Sequence, residues 1–395
     1  MKAMHNLIAA MRPFHAGSTG KTCHSIPAEA PLLPFDRLLR ALSPLSAILL
    51  LLLPGCTHLG PKTVAVDRFD YGTSVAESWK RQTLLNIVKV RYLDLPVFMD
   101  VASVVSGYSM QTGVSVSGTL STQKAVQGDF ASLGGQAIYT DRPTITYVPI
   151  TGDKFMRGMI TPLDPKSIFF FLQAGYSADF VLGLAVESIN GVRNRSVAGG
   201  AVREADPDFI RALDLLREVQ AAGAFGMRVE EDKAKSSTGV VFFRRDDVPA
   251  DIAEKSAEIR RLLNLAAEPQ KFTLTYSPMR GASNELAVNS RSMLQIMQVF
   301  ASRVDVPEAH LKDHSAWPSP DDASTTEGAR PTARIHSGKE KSADAYAAVR
   351  YRGYWFWIDN GDPVSKRSLT MVMFLFTLAD TGSPERLPLI TIPAQ

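Results

Sequence analysis

The chain has 395 residues, 45% of them hydrophobic, with 43 lysine and arginine side chains against 40 aspartate and glutamate. That near balance excludes a dedicated nucleic-acid binder, which needs a basic excess or stripe. The length suffices for one large core or two smaller ones. Residues 371–378 come closest to a membrane-spanning run in the body of the chain and are far too short for one.

Residues 1–36 are rich in Pro, His and Ala without sustained periodicity, and make a preface longer than an export signal needs. Translation starting near residue 36 would account for it. Residues 15–22 approach a phosphate-binding loop. However, His15 stands where the first glycine belongs, and Pro27 and Pro31 follow where a helix should run. Next come Arg37 and Arg40, an apolar run at residues 45–53, and Pro54-Gly55-Cys56. A positive lead, a short apolar core and a small residue before a cut site make an export signal. The run falls well short of the roughly 20 residues that span a bilayer, and Pro44 and Pro54 bracket it.

Leu53-Pro54-Gly55-Cys56 resembles the lipobox of bacterial lipoproteins. The resemblance implies that residues 1–55 are removed and that Cys56 is lipidated as the new N-terminus. Thr57 follows where an Asp would signal inner-membrane retention, which implies outer-membrane sorting with the protein facing the periplasm. After that cut 38 basic and 38 acidic side chains remain. With Cys23 removed and Cys56 carrying lipid, neither a disulfide nor a thiol nucleophile is left.

Residues 56–72 read as a tether. Ser74 and Glu77 have the capping-box spacing, so a helix is expected from there to about Arg91, ended by Pro96. Residues 98–120 and 136–150 read as two long strands, with the glycines of 128–135 between them. A short helix follows at 164–173, then a buried strand at 180–189. Asp206-Pro207 opens a helix whose apolar face is Phe209, Leu213, Leu216 and Val219. Strands are expected at 227–231, 239–244, 271–276 and 285–288. Helices are expected at 249–265 and from Ser290 to about 302. Residues 312–331 read as an exposed loop. Strands at 332–337 and 346–358, the latter bent at Gly353, precede a helix from Asp362 to about 378 and a last strand at 387–392. The fold class is therefore α+β, with mixed, mainly antiparallel sheets and amphipathic helices in helix–strand–strand order. Two regions are expected, 73–203 and 204–395.

Four histidines follow the cut: His58, His310, His314 and His336. His310 and His314 have the spacing of two ligands on one helix face, but their segment lies between prolines and lacks the glutamate placement of a zinc-protease helix. A solvated loop is expected there, and no metal or cofactor. His336-Ser337 with Asp344 or Asp359 could be drawn as a hydrolase triad, yet the chain has no Gly-x-Ser-x-Gly elbow. The densest aromatic run is Tyr351-Arg352-Gly353-Tyr354-Trp355-Phe356-Trp357. As a strand it is apolar on both faces, the mark of a central strand covered on both sides. The sharper reading has one face binding a glycan or a partner, with Tyr354, Trp355, Trp357, Arg350 and Arg352 as the candidate residues. Arg334, Lys339 and Lys341 gather near it in sequence. Strand alternation would put Arg350 and Arg352 on one face.

The spacing of Asn, Asp and Arg over 284–300 does not fit a peptidoglycan-binding domain. Residues 86–92 (NIVKVRY) with 348–359 (AVRYRGYWFWID) look like uncharacterised lipoproteins of Gram-negative bacteria. That resemblance implies an envelope protein and carries no activity. The helix–strand–strand order is similar to that of ring-building domains in secretion machines, an analogy of element order alone. The expectation is a lipid-anchored, non-enzymatic scaffold or accessory subunit. It would bind the membrane through its lipid and a protein partner or further copies of itself. The rival expectation is a periplasmic hydrolase working through His336 or the His310/His314 pair.

Overall fold

In a computed structural model, the described residues are 59–105, 108–119, 130–141, 143–198, 201–231, 237–244, 246–316 and 333–379. Cys56 and its lipobox, the strand expected at 387–392 and most of the loop expected at 312–331 lie outside them. The fold is α+β, with nine helices and fifteen strands among the described residues and mostly antiparallel sheets. The chain divides into two compact units, residues 1–70 with 103–146, and residues 71–102 with 147–395.

Helix α1 (Leu59–Arg91) takes in most of the stretch expected to be a tether. Pro61 stands in its first turn, where a missing N–H costs nothing. No proline follows until Pro96, so nothing interrupts the helix at Ser74. The helix stops at Tyr92 and Leu93, the latter in the left-handed region (φ 60°). Strands β1 (Phe98–Val105), β2 (Tyr108–Thr119), β3 (Phe130–Asp141) and β4 (Thr144–Ile150) replace the two long strands expected. β2 and β3 form an antiparallel hairpin from Tyr108↔Asp141 to Thr119↔Phe130, and β1 lies beside β4.

In the second unit, α2 (Gly152–Ile160) and α3 (Pro165–Gln173) come first. The carboxylate of Asp164 caps α3, accepting from the Lys166 amide at 3.1 Å. The apolar run expected as one strand at 180–189 divides into α4 (Ala178–Ala185) and β5 (Val186–Ile189). Val181, Leu182 and Ala185 are buried at helical spacing, so the run serves a helix face before it turns extended. After the short strands β6 (Val192–Arg193), β7 (Ser196–Ala198) and β8 (Ala201–Arg203) comes α5 (Pro207–Ala221), whose face at Phe209, Leu213, Leu216 and Val219 is buried as expected. Asp206 precedes it, but its carboxylate accepts from the Arg193 amide (2.8 Å) instead of capping the helix. Gly223 in the left-handed region (φ 67°) lets the Ala224 amide turn back to the Val219 carbonyl and close α5.

β9 (Phe225–Glu231), β10 (Ser237–Phe243), α6 (Ala250–Leu262), β11 (Lys271–Tyr276) and β12 (Glu285–Ser290) follow. Six strands form one sheet in the order β6-β5-β12-β11-β10-β9. The boundary expected at 203/204 therefore runs through this sheet: β5 pairs with β12, Val288 opposite Ile189. Asn190 seals that junction, donating to the carbonyls of Leu263 and Glu285 and accepting from the Ala287 amide. β11 and β12 run parallel, Thr273 opposite Glu285. The chain must step back only about 10 Å between them at roughly 3.3 Å per residue, so residues 277–284 suffice without a crossover helix.

Helix α7 (Met293–Ala301) starts at Ser292 and not at Ser290, with a reciprocal capping box between Ser292 and Gln295. The Ser290 hydroxyl donates instead to the Leu163 carbonyl. Arg291, between the two serines, is fully buried. Its guanidinium lies 3.1 Å from Glu187 and donates to the carbonyls of Gly183, Leu184 and Arg195. After α8 (Glu308–Lys312), β13 (His336–Gly338), β14 (Ala345–Tyr351) and β15 (Tyr354–Asp359) make a second sheet in the order β13-β15-β14. Helix α9 (Pro363–Ala379) closes the described chain. A single apolar cluster, from Leu84 of α1 to Leu375 of α9, forms the core of this unit.

Candidate functional site

The strand expected to bend at Gly353 is in fact a hairpin. Arg352 (φ 44°) and Gly353 (φ 83°) both adopt left-handed backbone, the requirement of a tight two-residue turn, and Tyr351 pairs with Tyr354. β15 is the middle strand of its sheet, and its two faces have different environments. Phe356 and Ile358 are fully buried and Tyr354 half-buried, whereas Trp355 and Trp357 are half-buried on the other face. The double cover expected from the aromatic run is thus present on one side only.

Register assembles the outer face. Trp357 lies between His336 of β13 and Ala348 of β14, and Trp355 lies between Gly338 and Arg350. Gly338 permits the close approach of Trp357, since a Cβ there would come 3.1 Å from the indole ring. The Trp357 Nε1–H donates to Asp359 at 2.8 Å, and the Lys341 ammonium stands 5.7 Å from the centre of the Trp355 ring. Arg350 is exposed opposite Trp355.

His336 closes one side of this face. Its Nδ1 is 3.3 Å from Asp305 and its Nε2 3.2 Å from Asp359, and Arg334 lies 3.5 Å from Asp305. Both ring nitrogens thus face carboxylates, which leaves neither to draw a proton from a nucleophile. Ser337 points to the opposite face, paired with Phe356, and Asp344 accepts from the Asn360 side chain. The triad that could be drawn from sequence therefore does not assemble. Asp305 is the partner that sequence reading missed. It is brought in by the bridge between Val304 and Ile335, a long-range contact with no local signature.

The other candidates part company. Arg352 is carried away from Arg350 by the turn and pairs with Asp94 (3.1 Å), which also accepts from the Tyr351 hydroxyl. Tyr354 faces inward, edge-on to His310 at 4.8 Å, with the Lys339 ammonium 3.9 Å from its ring centre. His310 is buried rather than solvated, and its Nδ1 shares a 2.7 Å hydrogen bond with the Tyr92 hydroxyl. Burial pushes the Tyr92 phenol up to about 12 against the pull of Arg91 and Arg352. His314 lies beyond the end of α8, exposed and in left-handed backbone, so the pair does not share a helix face. Among the described residues no cluster of three or more His, Cys, Asp or Glu side chains is placed to hold a metal ion.

The arrangement presents two indoles, an arginine and a lysine on an open sheet surface, and such a surface offers stacking and hydrogen bonding. The larger recesses lie elsewhere. One of about 330 Å³ lies beside Trp79, Phe98 and Phe376, and another of about 820 Å³ beside Arg260. Comparison with protein-family models, with curated proteins and with solved structures gives no significant match to this chain.

Proposed function

We propose that this chain is a lipid-anchored envelope protein, held through Cys56 to the outer membrane and facing the periplasm, that works as a non-enzymatic scaffold or accessory subunit. Its partner-binding surface is the outer face of the C-terminal sheet, centred on Trp355 and Trp357 and edged by Arg350. The observation that carries the reading is the half-exposure of both indoles on an ordered central strand. Tryptophan and arginine are the side chains most enriched at the energetic centres of interfaces. The lipobox supports the anchor, and the occupied ring nitrogens of His336 speak for structure over hydrolysis.

The test uses the full chain in membranes. Trp355→Ala with Trp357→Ala should abolish co-purification of the partner, or self-association if the partner is a second copy, while melting stays cooperative. Retention of every partner by a well-folded double variant would refute the assignment of this face. Cys56→Ser should release the protein from membranes, and a variant that still carries lipid would overturn the anchor.

A further inference from the structure

The recess of about 820 Å³ lies in the second unit, away from the indole face, and four arginines line it. Arg260 and Arg261 come from the last turn of α6, Arg244 follows β10, and Arg280 is carried by the segment joining β11 to β12. Among the described residues one carboxylate, Glu268, lines the same recess. Cations in the last turn of a helix match its dipole, which accounts for Arg260 and Arg261. It does not account for Arg244 and Arg280, which reach the same recess from separate elements.

Two further features distinguish the recess from an ordinary basic surface. Arg260 is buried, its guanidinium 5.2 Å from the centre of the Phe243 ring, so one charge is fixed in the floor. Ser256, also a lining residue, is 2% exposed, and its hydroxyl has no hydrogen-bond partner among the described residues. Among the described residues, Arg244, Arg261 and Arg280 make no ion pair within 4 Å. Arg244, Arg261 and Arg280, gathered at one recess, repel one another unless an anion enters. The planar guanidinium fork fits phosphate oxygens in pairs.

We propose that this recess binds a multiply charged, phosphate-bearing, non-aromatic anion. The volume exceeds what one phosphate needs and falls in the range of small-molecule sites. Among the described residues its remaining walls are mainly alanines and Leu265, with no aromatic ring for a base to stack on. That favours a phosphorylated saccharide or a phosphate chain over a nucleotide. Residues 277–284 supply both Arg280 and Ser283, and the Ala266 amide donates to the Ser283 carbonyl, which holds that segment against the end of α6.

The full chain is titrated with inorganic tripolyphosphate, and separately with phosphatidylcholine vesicles with and without a bisphosphorylated glycolipid. Saturable binding of either probe is expected, weakened about tenfold by Arg244→Ala or Arg280→Ala and further by both, as charge-assisted hydrogen bonds are lost. Binding of tripolyphosphate identifies a free anion as the ligand class, and binding only of the glycolipid vesicles identifies a lipid-linked one. Both positions are exposed, so the variants should keep the parent melting temperature. Arg157→Ala, at an exposed arginine outside the recess, should bind like the parent. Two results would overturn the proposal: no saturable binding of either probe, or binding weakened as much by Arg157→Ala as by Arg244→Ala.

Discussion

Removing the imidazole of His310 would leave the Tyr92 hydroxyl buried without its 2.7 Å partner. An orphaned buried hydroxyl costs about 1–3 kcal/mol, so His310→Ala should lower stability by that amount in denaturant titration. His314→Ala, at an exposed site, should stay within about 0.5 kcal/mol. Equal effects of the two would refute the separation of the pair. Arg291 is a second case. Burial pulls its pKa down against the support of Glu187. Its loss would leave that carboxylate to Arg203 and take a donor from the carbonyls of Leu184 and Arg195, while Gly183 keeps the Asn194 amide. Arg291→Met should cost about 1–3 kcal/mol, the range for leaving buried acceptors unsatisfied. A melting temperature close to that of the parent would show the pair to be dispensable. Neither role was legible in the sequence, because each depends on residues distant in the chain: Tyr92 for His310, Glu187 for Arg291.

At the scale of elements, α9 offers a test of a single cap. Burial works to raise the pKa of Asp362, but hydrogen bonds from the Ser365 hydroxyl and from the Ser365 and Val364 amides outweigh it and hold the carboxyl below its usual range. A folded-state pKa below the unfolded value adds stability that is present above about pH 4 and lost as pH falls through the lower value. Asp362→Ala should cost about 0.5–2 kcal/mol at neutral pH, and the gap from the parent should shrink below pH 4. A gap of the same size at pH 3 would rule out the carboxylate as its source. The two faces of β15 make a second contrast. Phe356→Ala should cost about 3–5 kcal/mol, whereas Trp357→Ala, on the half-open face, should cost clearly less. The elements read correctly were those with local signals: the Asp-Pro start and 3.6-residue periodicity of α5, and the bounds of β11. The run at 180–189 was misread because its apolar stretch, residues 180–186, has no period that separates a buried helix from a buried strand. The β14–β15 turn was misread because only Gly353 announces left-handed backbone, while Arg352 adopts it with no local signal.

For the whole molecule the decisive contact is β5 with β12, which joins residues on either side of the boundary expected at 203/204. Such pairing leaves no trace in a local window, since each strand taken alone is only a segment of four to six residues. Its energetic consequence can be bounded. Val181, Leu182, Val186 and Ile189 are each no more than 1% exposed, and burying such a side chain contributes about 1.5–3 kcal/mol. Together they contribute about 6–12 kcal/mol, comparable to the 5–15 kcal/mol that keeps an ordinary domain folded. A chain of residues 204–395 would lose them all, along with the Asn190 bonds to Leu263, Glu285 and Ala287. It should therefore lack fixed aromatic packing, seen as a collapsed near-ultraviolet circular dichroism spectrum. Co-expression with residues 71–203 should restore that spectrum by completing the sheet. A fragment 204–395 that melts cooperatively on its own would mean that the six-stranded sheet is not one folding unit.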